Sequence, residues 1–235
     1  MAYELHYWPG IQGRGEFVRL ALEYAGADYA DVARGESGAR GLIDLMRRGE
    51  PPPFAPPILR DGELLIAQTA NILLYLGPRL GLAPADEAGR LWVNQLQLTI
   101  ADIVDEAHDT HHPISSGLYY EDQKPEALRR AAAFREARIP KYHGYFERIL
   151  AAGGAEAGLA GAAVTYADLS LFQLVRGLQY AFPMAMQGLG PKLPHVLALA
   201  DRVARHPSLA AYLASPRRIA FNEEGIFRRY PELDG

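Results

Sequence analysis

The sequence predicts a small α/β domain followed by an all-helical domain. Three observations carry that reading. Strand-like and helix-like periodicities alternate over about the first 78 residues, and an Asp61-Gly62 pair there separates two short apolar runs. From residue 87 to residue 215 only helical periodicities remain, punctuated by Gly and Pro.

Taken in order, "YELHYW" alternates as a strand does, and "GEFVRLALEYAG" has helical spacing ending at a capping Gly26. "DYADVA" reads as a second strand, and "LIDLMRRG" as a second helix closed by Gly49. "PPILR", the Asp61-Gly62 turn and "ELLIA" form a hairpin, for which Asp-Gly supplies the positive φ of a two-residue type I′ loop. "TANILLYLG" returns to helix. The order β-α-β-α-β-β-α implies a sheet with a parallel part and a terminal hairpin, covered by helices. The expected domains are 1–78 and 87–235, joined by a linker at 79–86.

Helices are expected near 87–112, 124–151, 166–182, 191–205 and 207–214. Two signals sharpen this part. "TYAD" at 165–168 places a hydroxyl three residues before a carboxylate, which fits a capping box with Thr165 as the N-cap. Pro140 falls inside the periodic segment "RIPKYHGYFERIL", so a kink is expected there. The stripe Phe134, Ile139, Tyr142, Phe146, Ile149 has core spacing.

Composition narrows the function. The 235-residue chain is 49% hydrophobic and 22% charged, ordinary for a globular protein. With 24 basic and 28 acidic residues and a net charge of -4, it offers no electrostatic case for nucleic acid or an anionic membrane. There is no signal-peptide pattern and no apolar run of membrane-spanning length, so a cytoplasmic location is expected. The absence of cysteine fits a reducing compartment and excludes disulfide exchange, a Cys nucleophile and thiolate metal sites. Any thiol chemistry must use a thiol carried by the ligand.

The stretch "FAPPILRDGELLIAQT" at 54–69 sets Pro56 and Pro57 before an apolar run, where neither can donate to a sheet ladder. Together with "LHYW", "GRGEFVRLALEYAG", "PPILRDGELLIAQTANILLYLG" and "TYADLSLF", it gives a chain that resembles the cytosolic glutathione transferases over nearly its whole length. The resemblance implies that the first domain is thioredoxin-like and binds glutathione, and that the helical domain shapes the site for an apolar co-substrate. It also implies that Pro57 is cis and presents the backbone of Pro56 to the cysteinyl part of the tripeptide. Pro56 has a carbonyl to accept but no N–H to donate, so one of two usual backbone hydrogen bonds is absent.

Gln68 and Thr69 match the family's Gln-Ser or Gln-Thr pair, which holds the γ-glutamyl end. A helix N-terminus offers free N–H groups and partial positive charge to a carboxylate, and a hydroxyl adds a donor. The competing reading of Thr69 is a plain helix cap. Arg47 and Arg48 are candidates for the glycine carboxylate, against the alternative of a solvated helix end. Asp102 and Asp105 lie where family dimers supply an acidic residue to the partner's glutamyl amine.

A transferase of this kind must hold a thiolate at neutral pH. A free thiol with a pKa near 8.5 is only about 3% ionised at pH 7, and lowering that pKa by about two units takes roughly 2.7 kcal/mol. A hydroxyl donating to the sulfur supplies about 1.5 to 3 kcal/mol. No Ser precedes Ser37 and no Thr precedes Thr69, so Tyr3 and Tyr7 are the hydroxyls of the first strand. Tyr7 stands at its C-terminal end, and "HYW", with Trp8 next to it, resembles the tyrosine-type classes alpha, mu, pi and sigma. Arg14 matches the arginine that supports the tyrosine. The loop "WPGIQGRGE" is one residue longer than the family pattern, with Gln12 where a first Arg is usual.

Two clusters receive no functional assignment. "DEAHDTHH" at 105–112 spaces His108 and His112 four apart but lacks a Glu after the first His, so no metal is expected. "GIQGRG" lacks the order of a dinucleotide fingerprint. The segment "SSGLYYED" and Phe221, Phe227 and Tyr230 either line an electrophile pocket or dock on the core.

The expectation is a homodimeric glutathione transferase of the tyrosine type. It would conjugate glutathione, as co-substrate, to small hydrophobic electrophiles in detoxification. A glutathione-dependent isomerase or peroxidase, or a non-catalytic glutathione-binding protein, is the alternative.

Overall fold

A computed structural model describes residues 2–36, 38–154 and 156–235. Strand β1 (Tyr3–His6) is followed by helix α1 (Gly15–Tyr24), β2 (Tyr29–Asp31) with a short 3₁₀ turn, and α2 (Gly38–Arg48). Then come β3 (Ile58–Asp61), β4 (Leu64–Ala67) and α3 (Thr69–Arg79). The sheet order is β2-β1-β3-β4, with β1 and β2 parallel and the other pairs antiparallel. This is the mixed sheet that the element order implies, since a helix separates β1 from β2 and only a turn separates β3 from β4.

The hairpin turn differs from expectation. Asp61 pairs with Leu64, so the loop is Gly62-Glu63, and only Gly62 is left-handed (φ 59°). A type I′ loop needs positive φ at both central residues; a glycine at the first alone is the type II′ pattern. The sheet core is Leu5, Leu59 and Ile66, packed on Val18 and Leu22 of α1 and Ile72 and Leu76 of α3.

The helical part begins with α4 (Glu87–Asp109), capped by the Asp86 carboxylate accepting from the Gly89 amide over 2.8 Å. Its buried positions Val93, Leu96, Gln97, Ile100, Ile103, Val104 and Ala107 follow helical spacing. Helix α5 (Lys124–Ala133) passes into α6 (Ile139–Gly153) through a π-helical turn, Phe134–Arg138. The irregularity predicted at Pro140 thus falls on the turn before it, because a proline in the first turn of α6 loses no hydrogen bond there. Phe134, Ile139 and Phe146 are buried, while Tyr142 and Ile149 are partly exposed at the core's edge.

Helix α7 (Tyr166–Ala181) is buried on nearly every face and forms the centre. It starts at the predicted box, with the buried Asp168 carboxylate accepting from the Thr165 amide and hydroxyl, each at 2.7 Å, and from the Leu159 amide at 2.7 Å. Helices α8 (Pro183–Leu189), α9 (Pro194–Arg205), α10 (Pro207–Leu213) and α11 (Pro231–Asp234) complete the fold. The sequence pattern does not distinguish α8 from the α7 segment before it, nor α11 from the tail, because both are short, of seven and four residues, and opened by a proline.

A buried polar network joins the two regions. Glu16 of α1 is 0% exposed and accepts from the Tyr212 hydroxyl at 3.0 Å and from Arg218 at 2.6 Å. Arg19, also buried, donates to Asp31 at 2.7 Å. Gln12 donates to the Ile219 carbonyl at 2.5 Å and accepts from Gln173 at 2.7 Å. Gln12 therefore fastens the loop after β1 to the C-terminal tail and α7. Among the described residues no helix is long and apolar enough to cross a membrane.

Candidate functional site

The loop after β1 closes over Tyr7. The Tyr7 side chain is 4% exposed, and its hydroxyl oxygen accepts a hydrogen bond from the Arg14 backbone amide at 2.8 Å. Two glycines let the loop come so close. A Cβ on Gly13 would stand 2.1 Å from the Tyr7 hydroxyl oxygen, and one on Gly15 would stand 2.5 Å from Tyr7 Cγ; Gly13 is also left-handed (φ 46°). The loop thus grips the phenol closely.

Burial pushes the Tyr7 pKa up, opposed by the Arg14 amide and by the charges of Arg14 and Arg19. The Arg19 guanidinium carbon lies 5.7 Å from the ring centroid. The phenol therefore keeps its proton at neutral pH. Among the described residues no acceptor takes that proton, so the hydroxyl is a donor available to an anion.

Arg14 acts on Tyr7 through its main chain. Its side chain reaches across the cleft to Asp105 of α4, forming an ion pair between the two regions.

The peptide bond Pro56-Pro57 is cis, as the resemblance implies, and so is Glu50-Pro51. Pro57 is buried at the entry to β3, with Pro56 partly exposed before it. Across from this turn, α3 starts at Gln68, which occupies the N-cap position with a left-handed backbone (φ 71°) and no side-chain cap. Positive φ at a residue other than glycine is uncommon and is held only where the surroundings require it. Thr69 is the first residue of the helix, and its hydroxyl oxygen is buried without a partner. The plain-cap reading of Thr69 is therefore overturned.

Gln68 and Thr69 open into a cavity of about 430 Å³ between α3 and α4, which Arg14, Phe17, Asn94 and Asp105 also line. Gln97 of α4 lines it too, 1% exposed, with its carbonyl oxygen unpaired. Two buried polar atoms without partners in one cavity mark a place for a polar ligand, since each costs about 1 to 3 kcal/mol if left unmet. Sequence reasoning missed Gln97. The signal was present: it is the one polar residue at a core-facing position of the α4 stripe.

The other expected residues stand apart from this cavity. Trp8, Pro56 and Pro57 are outside its lining, Asp102 is exposed on α4, and Arg47 and Arg48 are exposed in the last turn of α2. The tail aromatics dock on the core. Phe221 stacks on Tyr180 with ring centroids 5.1 Å apart, Tyr230 on Tyr120 at 3.9 Å, and Phe227 is buried against Gly177.

A mixed four-stranded sheet with a cis-proline turn, followed by a helical region and joined to it across a polar cleft, is the architecture of the glutathione transferases. Residues 108–216 match the family model described as glutathione S-transferase, C-terminal domain. The chain is 23% identical over 212 residues to a glutathione S-transferase of Plasmodium yoelii yoelii, covering 89% of this chain and 92% of the relative. It is 28% identical over 223 residues to glutathione S-transferase P of Bos taurus, covering 92% and 94%. In fold it is similar to the pi-class glutathione S-transferase of Onchocerca volvulus, with a TM-score of 0.72 at 21% identity over 91% of this chain and 92% of that one. The chain is thus similar to the cytosolic glutathione S-transferases over nearly its whole length, and residues 108–216 match the model of their C-terminal domain.

Proposed function

We propose that this protein is a tyrosine-type glutathione transferase that adds the glutathione thiolate to small hydrophobic electrophiles. The observation that carries the reading is the Tyr7 hydroxyl, protonated, held by the Arg14 amide and without an acceptor of its own. Donating to the sulfur would favour the thiolate by about 1.5 to 3 kcal/mol, close to what a shift of two pKa units requires. Thr69 and the α3 N-terminus would hold the γ-glutamyl carboxylate, Gln97 would accept from the glutamyl amine, and the Pro56 carbonyl would accept from the cysteinyl amide. Arg47 and Arg48 would attract the glycine carboxylate from their exposed helix end. Binding then lowers the barrier by proximity as well as by ionisation.

The domains would divide this work at 79–86, and the site of action would be the cytoplasm. Leu74 and Leu98 are exposed beside the cavity, which supports a homodimer in which a second copy covers them and Asp102 approaches the partner's glutathione.

A non-catalytic, glutathione-binding role is the second reading. It is favoured by Tyr7 lying outside the cavity lining and by the missing N–H at Pro56. The test is a pH titration of the ultraviolet thiolate absorbance of glutathione mixed with excess protein, beside a Tyr7→Phe variant. A thiol pKa well below the free value in the parent and restored in the variant supports catalysis. Binding without a shift supports the second reading, and no binding overturns both. A panel of electrophiles, cis-trans substrates and hydroperoxides separates a transferase from an isomerase or peroxidase.

A further inference from the structure

The end of α4 holds three imidazoles together. The potential ligand atoms of His108, His111 and His112 all lie within 4.8 Å of one another. His108 and His112 are the pair that the i, i+4 spacing picks out; His111 is added by the turn that ends the helix, where the Thr110 hydroxyl donates to the Ala107 carbonyl at 2.7 Å. The His108 ring stacks on His112 with centroids 5.4 Å apart and meets His111 at 5.0 Å.

The tautomer of His111 follows from its partners. Its Nε2 lies 2.8 Å from the Ile226 carbonyl, which can only accept, so Nε2 carries the proton. The ring is 1% exposed, and in the neutral imidazole with Nε2–H donating, Nδ1 presents a lone pair. That lone pair faces His112 Nδ1 at 2.5 Å. An imidazole oriented by donating its second N–H to a backbone carbonyl is the arrangement in which metal-binding histidines are held.

We propose that His108, His111 and His112 form a binding site for a divalent transition-metal cation, with Zn²⁺ as the cellular occupant. Three neutral nitrogen ligands and no thiolate suit Zn²⁺, Cu²⁺, Ni²⁺ or Co²⁺ and not Ca²⁺ or Mg²⁺. Zinc–nitrogen bonds of about 2.0 to 2.1 Å in a tetrahedron put the nitrogens about 3.3 Å apart. His111 and His112 would therefore open by about 0.8 Å, a side-chain adjustment, as the cation displaces the proton between them.

His108 and His112 are partly exposed, which gives an entry path and leaves a fourth position to water. The charges nearby are mixed. Arg228 and Arg14 oppose a cation, while Asp109 Oδ1 lies 3.7 Å from His108 Nδ1 and favours one. The site stands on residues outside the proposed glutathione machinery, so it is independent of that reading.

The test uses the full chain without a histidine tag, stripped of metal and titrated with zinc chloride against a chromophoric chelator. One Zn²⁺ should bind per chain, and the affinity should fall at least tenfold in His108→Asn and in His112→Asn, on the order of the 10–100-fold lost when even an orienting partner of a ligand is removed. A His6→Gln variant should bind as the parent does. The unaltered protein supplies a second readout: zinc should shift the NMR signals of three imidazoles and leave those of His6, His143, His195 and His206 in place. No stoichiometric binding, unchanged affinity in the double variant His108→Asn/His112→Asn, or shifts at other histidines would overturn the proposal.

Discussion

The Arg14 amide and the Tyr7 hydroxyl oxygen are 2.8 Å apart, and Gly13 lies between the loop's path and the phenol, where a Cβ would come within 2.1 Å of that oxygen. Gly13→Ala should therefore displace the ring or the loop, aggravated by the left-handed backbone at this position. A shift of about 1 Å at a reacting group costs on the order of 10²-fold. Turnover of a model electrophile should drop by about that factor, with a loss of stability of about 1 kcal/mol or more in urea unfolding. Unchanged turnover would show that Tyr7 is not the thiol's partner.

Thr69→Val separates ligand binding from stability. The Thr69 hydroxyl is buried and unpaired, so replacing it with a methyl group should leave urea stability equal or slightly higher. Glutathione affinity should fall by about 0.5 to 1.5 kcal/mol, roughly 2- to 13-fold, by isothermal titration. A loss of stability with unchanged affinity would restore Thr69 to a purely structural role.

Arg218→Ala tests the joint between the regions. It removes one of the cations facing Glu16, which is 0% exposed and keeps Tyr212 and Arg19 as partners. Breaking a buried ion pair from one side costs about 3 to 5 kcal/mol, and the remaining partners place the expected loss at the lower end. Denaturant unfolding measures it, and Glu16→Gln in the same background should recover part of the loss.

Acid stability should depend on His143. This imidazole is fully buried in α6, its Nδ1–H donating to the Ile139 carbonyl at 3.0 Å, and burial pushes its pKa down to about 4. Below about pH 6.5 the unfolded chain takes up a proton that the folded chain refuses. The stabilisation is complete above that pH and is lost as pH falls towards 4, by roughly 3 kcal/mol in all. His143→Leu should make the fall in unfolding free energy over that window shallower, leaving the part due to the other buried imidazoles such as His111, and a curve parallel to the parent's would remove this residue as a cause.

What the sequence determined is what depends on neighbours in the chain. The strand and helix order, the hairpin, the cap at Thr165 and the break near Pro140 follow from periodicity and from residues with restricted backbones, whereas the cis-proline turn was implied by the resemblance alone. Tyr7 as the candidate donor also followed from the sequence, because the first strand offers so few hydroxyls.

Tertiary structure decided what depends on residues far apart. Gln12 finds the Ile219 carbonyl 207 positions away, and His111 finds the Ile226 carbonyl 115 positions away. Neither pairing leaves a local pattern, so the roles of Gln12 and His111 were not legible beforehand. Burial is a property of the packed chain: it strips a side chain of water, leaves a hydroxyl or an imidazole to whatever faces it, and so selects which polar residues become a site.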